Sequence, residues 1–215
     1  MLHHRFAVAL GVAVATVSPV QAEDSRWSGF YAGGVIGYGS GAVEQTNTFA
    51  SLENTVDIDG VVGGVFAGYN EQHGSLVYGI EVDAMISGIE GTLPDGSGRT
   101  CFSGLPDCHQ SIQGIYSARA RLGTDMGDIF PFVTAGIAGA EIVEDTGNSL
   151  SDIDGFEFGW VIGLGADYRV SDDFSLRADF LLMDFPSQVR GSGISIGTNE
   201  TETLGILRIG GAFHF

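Results

Sequence analysis

Eight charged residues are set singly into otherwise apolar or glycine-rich stretches: Glu81 and Asp83, Arg119 and Arg121, Asp167, Arg177 and Asp179, and Arg208. Each sits in a run where apolar and other residues alternate, so each points to the face of its segment opposite the apolar one. Ion pairing is the chemistry they offer, because both signs are present and an isolated charge in an enclosed space is costly. If the turn between Asp167 and Arg177 centres near Asp172, those two stand directly opposite one another.

Other candidates offer less. Cys101 and Cys108 lie eight residues apart inclusive in one loop, and in an exported chain they are expected to form an intraloop disulfide. Asp-Ile-Asp-Gly occurs twice, which makes Asp57, Asp59, Asp152 and Asp154 weak candidates for a divalent cation. A calcium loop needs more oxygens at set spacing, so a solvated acidic loop end is the stronger reading. His73, His109 and His214 show no pairing with a nucleophile in the sequence. No catalytic residue, cofactor or firm metal centre is expected.

The elements that position these residues begin after an export signal. His3, His4 and Arg5 precede an apolar run from Phe6 to Val17, and Val20-Gln21-Ala22 offers a cleavage site, so residues 1–22 read as a signal peptide and 23–215 as one domain. The mature part holds eight arginines and no lysine against 27 acidic residues, which excludes a nucleic-acid partner. No later stretch approaches the roughly 20 apolar residues of a spanning helix, so a membrane can be crossed only by a closed barrel. The 34 glycines, interleaved with apolar residues, fit crowded and curved strands.

Eight alternating segments are long enough to cross as tilted strands. The third sets Tyr78, Ile80, Val82, Ala84 and Ile86 against Gly79, Glu81, Asp83 and Met85, and the fourth, sixth, seventh and eighth repeat that contrast. The first, about Trp27 to Gly39, marks its face only weakly because both sets mix glycine with apolar residues. Short polar turns at Asn70 to Ser75, Asp125 to Ile129 and Val170 to Asp173 alternate with longer loops at about 40–57, 87–111, 144–155 and 186–201. Phe30, Tyr31, Tyr69, Tyr78, Phe130, Phe132, Tyr168, Phe174, Phe213 and Phe215 cluster at the short-turn ends, as an aromatic girdle at one membrane border would. The fold class is therefore all-β, an eight-stranded antiparallel up-and-down transmembrane β-barrel with its charges in the lumen.

The chain resembles the small OmpA-like outer-membrane barrels, particularly porin-family surface antigens of the opacity-protein kind. The stretches Trp27 to Gly34, Gly63 to Asn70, Tyr78 to Asp83, Ala118 to Gly123 and Pro131 to Gly136 carry that resemblance by their order and spacing. The last residues, with Arg208, Gly210, Phe213 and Phe215, look like the signal read by the barrel assembly machinery. No cell-wall-binding domain is expected after Phe215.

The function implied is a structural barrel in the outer membrane of a Gram-negative bacterium, supporting envelope integrity and displaying acidic extracellular loops. Its expected partners are outer-membrane lipid and lipopolysaccharide, whose phosphates a cation at the rim would bridge, the assembly machinery, and an unidentified loop partner. Two alternatives stand beside it: a narrow solute-conducting channel and a soluble periplasmic barrel of the lipocalin type.

Overall fold

The computed structural model describes residues 25–47, 52–92, 109–145, 153–185 and 198–215. Within them the strands are β1 (Gly29–Asn47), β2 (Leu52–His73), β3 (Leu76–Thr92), β4 (His109–Thr124), β5 (Ile129–Asp145), β6 (Ile153–Ser171), β7 (Phe174–Phe185) and β8 (Thr198–His214). Each pairs antiparallel with the next, and β8 returns to β1, from Tyr31 opposite His214 to Asn47 opposite Thr198. Closure leaves no edge, as hydrocarbon requires of strands, since every backbone group must find its partner within the protein.

The two-residue alternation sets the faces. On β3, Ile80, Val82 and Ile86 are exposed while Glu81, Asp83 and Met85 are buried. Exposed apolar and buried charged side chains invert the arrangement of a water-soluble barrel, so the lipocalin-type alternative is overturned. The weakly marked face of β1 is decided by packing: Tyr31 and Val35 are buried, and Phe30, Ile36 and Tyr38 are exposed. Gly68 on β2 makes room for Tyr31, because a Cβ there would strike the phenol.

The strands run further outward than alternation implied. Most of the expected loop at 40–57 is a hairpin ladder that continues to Asn47 opposite Leu52. Backbone pairing needs no apolar side chain, so the ladder continues where the outward face turns polar at Ser40 and Asp59. The short turns are tighter than expected: His73 pairs with Leu76 around a two-residue turn, in which Gly74 takes the left-handed φ of 59°.

The aromatic girdle is corrected in part. Phe30, Tyr78, Tyr168, Phe213 and Phe215 are exposed, but Tyr31, Phe130 and Phe132 are buried in the lumen. Alternation forces this split, since Tyr31 neighbours Phe30, and Phe130 and Phe132 share the face of Thr134.

The lumen is layered and is not polar throughout. At the short-turn end Trp27, Val77, Phe130 and Phe132 form an apolar floor. The charged residues lie above it, and a second apolar cluster, including Ile89, Ile115, Leu181, Met183, Phe185 and Ile206, fills the outer half. An eight-stranded interior is just wide enough for side chains to fill, as they do here.

Candidate functional site: a charge layer between two closures

Glu81 lies at the centre of the charge layer. It accepts hydrogen bonds from Arg119 Nη2 at 2.5 Å, Arg177 Nη1 at 2.6 Å, the Tyr31 hydroxyl at 2.8 Å and Arg121 Nη1 at 3.3 Å. Asp83 accepts from Arg119 Nη2 and Ser117 Oγ, each at 2.6 Å, with Arg208 Nη1 3.5 Å away. Asp167 receives Arg177 Nε at 2.7 Å and Nη2 at 3.0 Å, and Arg121 Nη2 at 2.8 Å. Arg208 grips Asp179 through Nε and Nη2, both at 2.8 Å. All eight residues are buried, and four guanidinium groups balance four carboxylates.

Pairing of neighbouring strands explains most of this set. Glu81 stands opposite Arg119, Asp167 opposite Arg177, and Asp179 opposite Arg208, so each pair forms within one hairpin or strand pair. Three pairs join strands that are not neighbours: Arg177 on β7 with Glu81 on β3, Arg208 on β8 with Asp83 on β3, and Arg121 on β4 with Asp167 on β6. These bonds tie together walls that share no backbone ladder.

Aromatic rings complete the site, and sequence reasoning missed their part. The Arg121 guanidinium lies 3.9 Å from the Phe132 centroid, and that of Arg177 lies 4.2 Å from Phe66. A planar guanidinium can bind carboxylates at its edge and an aromatic ring on its face, which limits the penalty of burying it. Strand parity was the available signal, since Tyr31, Phe66 and Phe132 share the inward set.

Below the layer, Trp27 closes the mouth. Its backbone N–H donates to Gln72 Oε1 at 3.0 Å and its indole N–H to Asp125 Oδ1 at 3.3 Å, while the Arg169 guanidinium stacks 4.7 Å from its ring. Gln72 Nε2 also donates to Asp125 Oδ2 at 2.7 Å, so the end of β2, the turn after β4 and the N-terminal segment are joined. Trp27 is fully buried and acts as the floor of the barrel, where the sequence had placed only a strand start.

One pairing contradicts the reading of the histidines. Ser175 Oγ lies 2.9 Å from His214 Nε2. Ser175 is fully buried and Trp27 covers His214 at 5.9 Å, so no substrate has access to that hydroxyl. His73 instead stacks on Tyr78 beside a turn, at 5.7 Å and 12°.

The remaining candidates do not converge. Asp57 and Asp59 are exposed on the outer face of β2, and Asp59 accepts from the Tyr38 hydroxyl. Asp154 belongs to β6, four strands away, and Asp152 lies outside the described residues, so the two Asp-Ile-Asp-Gly motifs occupy separate walls. No group of three or more metal-ligating side chains occurs among the described residues. Cys101, Cys108 and residues 1–22 lie outside the described residues. At the C-terminal end, Phe213 and Phe215 face outward, Gly210 faces the lumen, and Arg208 belongs to the charge layer.

With this geometry stands a family match: a model described as an outer membrane protein beta-barrel domain covers residues 7–199. The chain belongs to that family. A 25 kDa outer-membrane immunogenic protein of Brucella abortus is 31% identical over 199 residues, covering 92% of this chain and 84% of the relative. A 22 kDa outer membrane protein of Rhizobium leguminosarum bv. viciae is 31% identical over 173 residues, covering 80% and 70%. The crystal structure of OprG from Pseudomonas aeruginosa aligns with a TM-score of 0.57 at 13% identity, over 89% of this chain and 99% of that one, and shows the shared fold alone. This member of the family is thus an outer-membrane β-barrel protein, with its apolar belt in the bilayer and its charge layer inside.

Proposed function

We propose that this barrel is a closed, non-enzymatic structural element of the outer membrane that supports envelope integrity and carries acidic loops outward. The supporting observation is the lumen itself, where a balanced charge layer lies between the Trp27 floor and an outer apolar cluster. A conducting path would have to cross both closures, which is the argument against the channel alternative. In this reading the belt is surrounded by outer-membrane lipid and lipopolysaccharide, and the assembly machinery reads Arg208, Gly210, Phe213 and Phe215 during insertion.

Planar-bilayer recording tests the reading. The purified barrel is expected to give no stable unitary conductance, and a reproducible one altered by Arg121→Ala would establish the channel instead. A deletion strain is expected to show raised sensitivity to detergents and bile salts.

A further inference from the structure

The outward apolar runs end at a carboxylate on four strands: Asp59 on β2, Glu90 on β3, Glu141 on β5 and Asp184 on β7. Strand β6 differs. Trp160, Phe158 and Phe156 continue outward along it, 43%, 70% and 48% exposed. Phe156 lies twelve residues from Tyr168, which stands at the opposite membrane border. At a rise of about 3.3 Å per residue and a tilt of about 40°, that separation is about 30 Å, more than the roughly 25 Å apolar band of such barrels. Phe156 therefore stands at headgroup level, beyond the acyl chains.

The rings there form a platform. Tyr116 is opposite Gly139, which is opposite Phe158; Gly114 is opposite Glu141, which is opposite Phe156. The two glycines let neighbouring groups lie against the wall. A Cβ on Gly139 would strike the Phe156 ring, and one on Gly114 would meet the Tyr116 hydroxyl at 3.0 Å and Glu141 Oε2 at 3.1 Å. Tyr116 and Phe156 are 6.0 Å apart and inclined by only 30°, while Phe158 stands at 66° to Phe156, 4.9 Å away, as a side wall. The Tyr116 hydroxyl donates to Glu141 Oε1 at 3.2 Å, and the carboxylate keeps further lone pairs for other donors.

We propose that this platform of Tyr116, Phe156, Phe158 and Glu141 holds the saccharide headgroup of a glycolipid in the outer leaflet. The C–H face of a pyranose is apolar and lies well on a flat aromatic ring, and its hydroxyls donate to a carboxylate at the ring's edge. The platform is continuous with the lipid-facing belt through Trp160, so its occupant arrives with the membrane. Charge distribution favours sugar over phosphate. Arg119, Arg121, Arg177 and Arg208 are buried in the lumen, and Arg26 and Arg169 flank the floor, so no arginine among the described residues faces outward near the platform.

The test titrates the folded barrel in detergent with the deacylated oligosaccharide of a short-core lipopolysaccharide and follows fluorescence. Trp160 lies two residues from Phe158, whereas buried Trp27 gives a constant background. A saturable change is expected in the parent protein, at least tenfold weaker binding in F156A/F158A, an intermediate loss in E141Q, and no change in Ile209→Ala on β8. Retention of the heat-dependent gel shift certifies that each variant is folded. No saturable response to the oligosaccharide, or equal affinity in F156A/F158A, would overturn the proposal. So would an equal response to phosphatidylethanolamine vesicles, which would place the rings among acyl chains. Failure here leaves the closed-barrel reading untouched, because that is decided by conductance.

Discussion

Arg177 Nη1 on β7 donates to Glu81 Oε2 on β3 at 2.6 Å, across the lumen and 96 residues along the chain. Neither strand neighbours the other, so this bond exists only when the barrel has closed. Glu81 forms ion pairs with three arginines, whereas among the described residues Asp179 forms its ion pair with Arg208, which also keeps Asp83 within 3.5 Å. Losing Glu81 leaves several buried charges uncompensated; losing Asp179 leaves one partly paired. Glu81→Ala is expected to lower unfolding stability by about 3–5 kcal/mol, and Asp179→Asn by about 1–3 kcal/mol. Urea denaturation in detergent measures both, and equal losses would show that the layer has no centre.

Burial also shields this layer from salt. Screening acts on exposed charges over a Debye length of about 3 Å at 1 M ionic strength and hardly reaches pairs enclosed by protein. The unfolding midpoint is expected to stay nearly constant between low salt and 1 M sodium chloride for the parent protein. A marked fall would mean that water and ions enter the lumen.

Glycine replacements separate lumen from lipid face. Gly68→Ala drives a methyl group into the Tyr31 phenol, which carries hydrogen bonds to Glu81 and Arg121, so a clear drop in the gel-shift transition temperature is expected. At Gly34, on the outward face, the nearest atom to an added Cβ is Gly64 O at 3.6 Å. Gly34→Ala is therefore expected to fold and migrate like the parent.

Trp27 makes its contacts with segments that meet only in the finished barrel: Gln72 at the end of β2, Asp125 after β4, Phe130 on β5 and Arg169 on β6. Trp27→Ala removes the floor and is expected to cost about 3–5 kcal/mol of stability. Conductance should stay absent in this variant, since the outer apolar cluster is intact. A stable current would identify Trp27 as the sole gate.

Much of this molecule was legible in the sequence because a membrane barrel obeys a two-residue rule. Alternation in Tyr78 to Ile86 gave a lipid face and a lumen face, and the spacing about Asp172 placed Asp167 opposite Arg177, as the register has it. Alternation weakens where both faces carry glycine and small apolar residues, so β1 could not be assigned before Tyr31 was seen to fill the space above Gly68. It also weakens beyond the bilayer, where polar residues still pair by backbone, and the strands there outran the pattern.

The count of strands, their closure into a membrane barrel and the identity of the eight lumen charges were legible in the residues alone. These follow from local periodicity and from the demand that every backbone group be bonded. Tertiary structure alone decided the partners across the lumen, the rings of Phe66 and Phe132 on the arginine faces, and the descent of Trp27 into the mouth. Such contacts join strands far apart along the chain, and their distances are fixed by the curvature and stagger of the closed wall, which no local pattern encodes.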